Sequence, residues 1–421
     1  MLPNNKTLFL ITIFWICCNH TNAQTITDTC QQSDLPSVLF KNRTKETNSN
    51  DRFAMLLLPI IGSTPATGFF GGVGLQIVMR GSYVTDRYSS ISGSMQFTAK
   101  RQKLLLAKNT VYLLHNKLFL MGDLRLLLFS QSTYGLGTNA PGKLQKALAD
   151  LNGYSTNDDS LAQPMSYDYI KIHQTASWLI YPDLYVGGGF HIDKYQDIND
   201  IKLDTSSLSP RLTSHYLYNK IEGFNVNKYN LNGVSINAVF DSRDNLVNAY
   251  KGHFANINLR FNSTGLGSDK NSMQAYLEYR YFKSVSKVNP RNVLAFWTYL
   301  DWLVSGSLPY MTLPALGYDQ RSRAGRGYSQ GRFRGEKLFY AETEFRFNIS
   351  PCTKVLGGVV FVNVITTSSE LADVKLFEYV KPAVGAGLRL MVDKKGRTNL
   401  FMDYAFGKQS NGFYFGATET F

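Results

Sequence analysis

Three features predict an all-β chain, a transmembrane antiparallel β-barrel of about sixteen strands: a dominant period of two, segments near ten residues long that carry it, and an export signal ahead of them. In residues 254–262, Ala255, Ile257, Leu259 and Phe261 alternate with Asn256, Asn258, Arg260 and Asn262. In residues 338–348, Phe339, Ala341, Thr343, Phe345 and Phe347 alternate with Tyr340, Glu342, Glu344, Arg346 and Asn348. Met273, Ala275, Leu277, Tyr279 and Tyr281 repeat the pattern against Gln274, Glu278 and Arg280. A soluble sandwich also alternates, but these segments run long and many end in aromatics, which fits an oily outside and an ionic inside. The 421 residues are 44% apolar with 25 Tyr and 27 Phe, which excludes a disordered chain. Past the N-terminus no apolar run approaches the roughly 18 residues of a membrane helix.

The elements follow in order. Lys6 precedes the apolar run Leu8 to Cys18, and Thr21-Asn22-Ala23 offers small residues for cleavage, so residues 1–23 read as a secretory signal peptide. Residues 24–54 form a short polar tail, and residues 55–421 the barrel. Strands are expected near 55–64, 68–80, 88–100, 104–115, 117–131, 166–180, 183–194, 229–241, 252–263, 271–283, 291–304, 337–349, 354–366, 380–391, 397–408 and 411–421. Joins after even-numbered strands are short, whereas those after the fifth, seventh and eleventh are about thirty residues or more, so both chain ends should face the periplasm. Pro59 interrupts the first strand and has no amide to donate, so either it marks a weak seam between first and last strands or it stands at the strand's start or with its missing donor toward solvent. The last strand ends on the aromatic Phe421, which resembles the C-terminal assembly signal of outer-membrane barrels and places that residue at the seam.

Between the eleventh and twelfth strands stand Gly325-Arg326-Gly327-Tyr328 and Gly331-Arg332-Phe333-Arg334-Gly335. With Asp241-Ser242-Arg243-Asp244-Asn245 before Lys251-Gly252, and with Gly385-Ala386-Gly387-Leu388-Arg389, this order of motifs resembles the BamA/TamA (bacterial surface antigen) family of outer-membrane assembly and secretion barrels. The resemblance spans nearly all of residues 55–421. It implies that the long connection folds into the lumen, with Gly325, Arg326, Gly327 and Tyr328 as its tip. In the family an Asp in a Phe-x-Asp-x-Gly segment helps to hold the tip arginine. The matching segment here, Phe361-Val362-Asn363-Val364-Ile365, carries a neutral Asn363. Glu342 and Glu344 are therefore expected to supply the countercharge, because an unpaired buried arginine is costly. The family's soluble POTRA domains, roughly 75 to 80 residues each, have no room in residues 24–54, so what is expected is a relative of the family that lacks them.

The implied function is insertion, assembly or translocation of proteins or lipids at the bacterial outer membrane through the first-to-last seam, without enzymatic activity. A diffusion pore or specific channel and an outer-membrane lipid-modifying enzyme are the alternatives. Implied partners are outer-membrane lipids and lipopolysaccharide, unfolded outer-membrane proteins and periplasmic proteins. The net charge of +13 is scattered rather than clustered, which argues against nucleic acid. No cofactor or metal is expected: the histidines show no zinc-binding pattern, and Gly137 to Lys143 outlines a phosphate loop but puts Leu144 where a Ser or Thr must bind magnesium. Cys17 and Cys18 fall in the signal; for Cys30 and Cys352, two free thiols or one disulfide are equally open.

Overall fold

A computed structural model of the chain describes residues 33–39, 52–64, 68–83, 85–140, 162–206, 208, 211–320, 322–394 and 396–421. The expected signal peptide at 1–23, most of the 24–54 tail, Cys30, and Gly142 and Lys143 of the phosphate-loop outline lie outside the described residues. Sixteen strands form one sheet in strict sequence order. They are β1 (Phe53–Thr64), β2 (Gly68–Arg80), β3 (Tyr88–Thr98), β4 (Lys103–Leu113), β5 (Leu118–Thr133), β6 (Gln163–Tyr181), β7 (Leu184–Asp200) and β8 (Tyr229–Asp241). They continue with β9 (Gly252–Asn262), β10 (Ser272–Ser284), β11 (Val293–Gly306), β12 (Lys337–Asn348), β13 (Leu356–Ser368), β14 (Lys381–Asp393), β15 (Thr398–Gly407) and β16 (Ser410–Ala417). Every consecutive pair is antiparallel, which the tight turns dictate and the three long connections, after β5, β7 and β11, also obey. Among the described residues two short α-helices are added, α1 (Leu35–Leu39) and α2 (Ser214–Ile221).

Alternation places the apolar side chains outside. Val234, Ile236, Ile257, Leu277, Val360, Val362, Val384, Leu388 and Phe415 are exposed on the outer wall. Their neighbours Asn237, Asn256, Glu278, Arg280, Glu344, Asn363, Arg389 and Asp403 are buried inside. Exposed aromatics stand at both ends of the wall, Phe53, Tyr88, Trp178, Tyr181 and Phe345 at the end that carries the chain termini and Phe69, Phe97, Phe261 and Phe406 at the other, as the two girdles of a membrane-spanning barrel require. Hydrocarbon leaves no water for backbone groups, so a spanning sheet must pair its own amides, and fifteen of the sixteen boundaries do so. At the remaining one β1 and β16 lie against each other, yet no ladder joins them among the described residues.

Two elements differ from the sequence reading. β6 begins at Gln163 and β7 runs on to Asp200, so this wall stands taller than expected. β16 stops at Ala417 although alternation continues to Phe421. Thr418 takes a left-handed φ of +74° and turns the chain inward. Glu419 then pairs with Arg389 at 2.7 Å. Burying Phe421 and pairing Glu419 outweigh the propensity to extend.

Near the termini end, Ser33 N donates to Thr353 O (2.9 Å) and Lys394 N donates to Asp34 Oδ2 (3.3 Å), which docks α1 beside the β12–β13 and β14–β15 turns. Cys352, in the first of these turns, is disulfide-bonded.

Candidate functional site: the inward loop and its seat

The connection 307–336 leaves β11 and enters the lumen. Its base is organised by Arg334, almost wholly buried, whose Nη1 donates to the carbonyls of Tyr310 (3.0 Å) and Met311 (2.8 Å). From the opposite wall Arg125 on β5 donates to Asp319 O at 2.9 Å, and Gln131 donates to Gln330 O. The loop thus spans the lumen and touches both walls.

At its tip, Gly325 (φ +84°) and Gly327 (φ +101°) flank Arg326. A Cβ on Gly325 would stand 2.4 Å from Leu316 Cδ1, and one on Gly327 would stand 2.8 Å from Ala383 Cβ on β14. Only glycine takes this backbone at such close approach, and the two together turn the Arg326 side chain into the wall. Gly325 N donates to Tyr340 Oη (3.0 Å) and Gly327 N to Tyr414 Oη (2.9 Å). Tyr328 Oη donates to Pro382 O (2.7 Å) and accepts from Lys408 N (3.0 Å).

The Arg326 guanidinium lies 3.4 Å from the centre of the Phe361 ring. Its Nη2 donates to Glu342 Oε1 at 2.5 Å and also to Glu344 Oε1, and its Nη1 donates to Asp403 Oδ2 at 2.5 Å. Asn363 Nδ2 donates to the Arg326 carbonyl at 2.9 Å. Burial by itself disfavours the charged guanidinium, but Glu342, Glu344 and Asp403 outweigh it and hold its pKa well above the ordinary arginine value. The excess of carboxylate is balanced further along the wall. Arg346 pairs with Glu344 at 2.7 Å, and Arg389 bridges Asp403 (2.5 Å) and Glu419 (2.7 Å). Such a network is tolerable in a desolvated lumen because each member has its countercharge and hydrogen bonds.

The structure brings Arg326, Glu342, Glu344 and Asn363 together in one cluster. It also brings in Asp403 and Phe361, which the sequence reading had not assigned to the site. Asp403 stands in Phe401-Met402-Asp403, the same Phe-x-Asp spacing that was sought at Phe361 and found neutral there. That spacing was the available signal. Pro59 lies mid-strand in β1, opposite Val73 of β2, with its ring exposed on the outer wall. Phe421 is not on the outer face of the boundary. Its ring is buried in the lumen, 5.2 Å from Trp297 and 6.0 Å from Phe282, with the Arg346 guanidinium 5.3 Å above it. The inward turn at Thr418 accounts for that correction.

An apolar outer band, an ionic interior and a loop seated across the lumen define a class of protein, the outer-membrane β-barrel with an inward plug. The family follows from comparison with known proteins: the sequence model of the Omp85 superfamily domain matches residues 132–421, and the chain belongs to that superfamily. Among solved structures it is similar to BamA from Haemophilus ducreyi at 13% identity and a TM-score of 0.53, over 87% of this chain and 70% of that one. It is similar to CdiB from Acinetobacter baumannii at 12% identity and a TM-score of 0.52, and to CdiB from Escherichia coli at 11% and 0.53. Each CdiB match covers 87% of this chain, which spans 59% and 62% of the respective CdiB chains. No curated protein matches it.

Proposed function

We propose that this barrel inserts, assembles or translocates polypeptide or lipid at the outer membrane through the boundary between β1 and β16, with the inward loop closing the lumen meanwhile. The observation that carries this reading is the missing ladder between two strands that lie side by side. An unpaired strand edge is a template for an incoming strand, and hydrocarbon makes leaving it unpaired costly, so such an edge is primed to exchange partners.

In this reading residues 1–23 direct export and residues 24–54 form a periplasmic tail. Gly325 to Tyr328 seat the loop, while Glu342, Glu344, Asp403 and Asn363 receive it. The clients are unfolded outer-membrane proteins or lipids, and lipopolysaccharide surrounds the outer wall. A free diffusion path is disfavoured by the loop itself, which leaves against the wall a cavity of about 180 Å³ near His173 and Tyr299 and an adjoining one of about 120 Å³ near Lys108 and Arg280.

The test is reconstitution of the purified chain into liposomes, followed by addition of a urea-unfolded outer-membrane barrel. Folding of the client should be faster than in empty liposomes, while conductance in planar bilayers stays low. Equal folding rates together with large steady conductance would favour the pore, and turnover of lipid by the barrel would favour an enzyme.

A further inference from the structure

Three residues before the loop tip, Arg323 leaves the tip cluster and reaches the end of the last strand. Its Nη1 donates to Thr418 Oγ1 (3.0 Å) and Glu419 O (2.5 Å), and its Nη2 donates to Ala417 O (2.7 Å). Its guanidinium lies 5.0 Å from the centre of the Phe401 ring. At its own base the backbone is fixed within the loop, where Arg323 N and Ala324 N donate to Asp319 Oδ1 at 3.1 and 3.0 Å.

These acceptors are informative. β16 stops at Ala417, so the carbonyls of Ala417 and Glu419 stand where a ladder has ended. A buried carbonyl without a donor is costly, and one side chain of the inward loop supplies both donors. The four residues beyond, Thr418 to Phe421, lie inside the lumen, and Glu419, Thr420 and Phe421 are buried. Arg389 and Asn399 hold Glu419 (2.7 and 2.6 Å), and Arg346 donates to Phe421 O (3.2 Å). The wall therefore holds the Glu419 carboxylate and the Phe421 carbonyl, whereas the loop supplies the donors to the Ala417 and Glu419 carbonyls at the turn.

We propose that Arg323 couples the seat of the inward loop to the free end of β16, so that withdrawal of the loop releases the tail and the strand that borders β1. Arg323 is a positioning residue in this scheme. The proposal rests on the reading of the β1/β16 boundary as the working part, and it deepens that reading by naming what makes the boundary answer to the loop.

The test is hydrogen–deuterium exchange on the full chain in liposomes, followed by mass spectrometry of peptides from 322–330 and 410–421. Arg323→Ala should speed exchange in the tail at least about tenfold, as expected when charged hydrogen bonds to buried acceptors are lost. Arg323→Lys, which keeps the charge but not the fork, should give an intermediate value. Arg326→Ala should speed both peptides, yet in an Arg323→Ala background it should add no more than about twofold in the tail, because the connection is already cut. Persistence of compact, heat-modifiable migration in each variant establishes that the barrel is folded. Wild-type exchange in the tail of Arg323→Ala would overturn the proposal. So would a full Arg326→Ala effect in the double variant, which would route the coupling through Asp403, Arg389 and Glu419 instead. Client folding is scored separately: a chain that shows the coupling but accelerates no client refutes the functional reading and leaves the coupling standing.

Discussion

The wall of β6 and β7 and the wall at the β1/β16 boundary are built differently. β6 and β7 have 19 and 17 residues, against 12 in β1 and 8 in β16. At about 3.3 Å per residue the longest strand runs roughly 60 Å and the shortest roughly 26 Å. The tall wall carries a ring cluster at its far end, with Tyr169 stacked on Tyr195 at 4.2 Å and Tyr229 and Tyr167 beside them. Its lower part holds Asp123, Arg125, Lys171, Asp193 and Arg260 in paired charges. β1 has neither feature. Met55, Leu57 and Ile61 face outward, and the alternate positions Ala54, Leu56 and Ile60 are apolar as well. A strand with two oily faces, an interrupting proline and one unladdered edge has little to specify its place beyond β2. Rigidity and adaptability are thus segregated around the circumference, and the inward loop touches the rigid side at Arg125 while its tip is seated beside the adaptable one.

The largest effect is expected from Glu344→Lys, which puts a cation against Arg326 and Arg346 inside the lumen. Leaving buried charges uncompensated should cost about 5 kcal/mol of loop docking. Single-channel conductance should rise several-fold and the 307–336 loop should become open to protease, while the tall wall keeps its exchange protection. Unchanged conductance with an intact loop would mean that the cluster does not hold it.

Phe119→Ala sharpens the contrast from the other side. Phe119 on β5 is buried against Tyr112 (4.8 Å) and Tyr185 (5.3 Å), in a cluster that includes no residue of the inward loop. Truncation should cost about 3 kcal/mol of stability, read as a lower unfolding temperature, with conductance and client folding unchanged below the transition. A conductance increase matching that of Glu344→Lys would erase the distinction between the two regions.

Much of this architecture was legible in the sequence because a period of two reports which face each residue takes, and barrel closure turns faces into lumen and lipid. Strand number, the position of the long connections and the lumenal side of Glu342 and Glu344 follow from that alone. Periodicity says nothing about which lumenal groups meet across the barrel. Asp403 lies two strands from Asn363, and its Phe-x-Asp spacing, the one local signal, does not say which arginine it meets. The inward turn at Thr418 was hidden for a related reason: its cause is a set of arginines on β12, β14 and the loop, not the composition of the tail. The height of β6 and β7 is not legible in the same way, because their outer ends run in polar and tyrosine-rich sequence whose extension depends on ring stacking across strands.

Asn363→Asp gives a smaller effect of instructive sign. By charge counting alone, restoring the family-like carboxylate would tighten the grip on Arg326. Here Asn363 uses its amide to donate to the Arg326 carbonyl, and the guanidinium already has Glu342, Glu344 and Asp403. The carboxylate would remove that donor and set a negative charge against a carbonyl, so loop docking should weaken by about 2 kcal/mol. Protease accessibility of the loop, compared across wild type, Asn363→Asp and Asn363→Ala, decides it: a loop better protected in the Asp variant would show that charge, not donor geometry, governs the seat.

Pro59→Val should have the smallest effect and bears most directly on the boundary. The ring faces lipid, so a β-branched side chain of similar size fits the outer wall without repacking. What changes is the backbone, where valine supplies an amide that proline lacks. A single added hydrogen bond is worth about 1 kcal/mol net, enough to slow an opening equilibrium about fivefold. If the new amide pairs toward β16, client folding in liposomes should slow by that factor and the amide introduced at position 59 should gain exchange protection. If it pairs toward Val73 of β2, stability should rise with client folding unaltered, and the proline would then be a feature of the β1–β2 ladder. Slowed folding without amide protection would point to side-chain packing at the lipid face, so the two measurements together separate a backbone cause from a surface one.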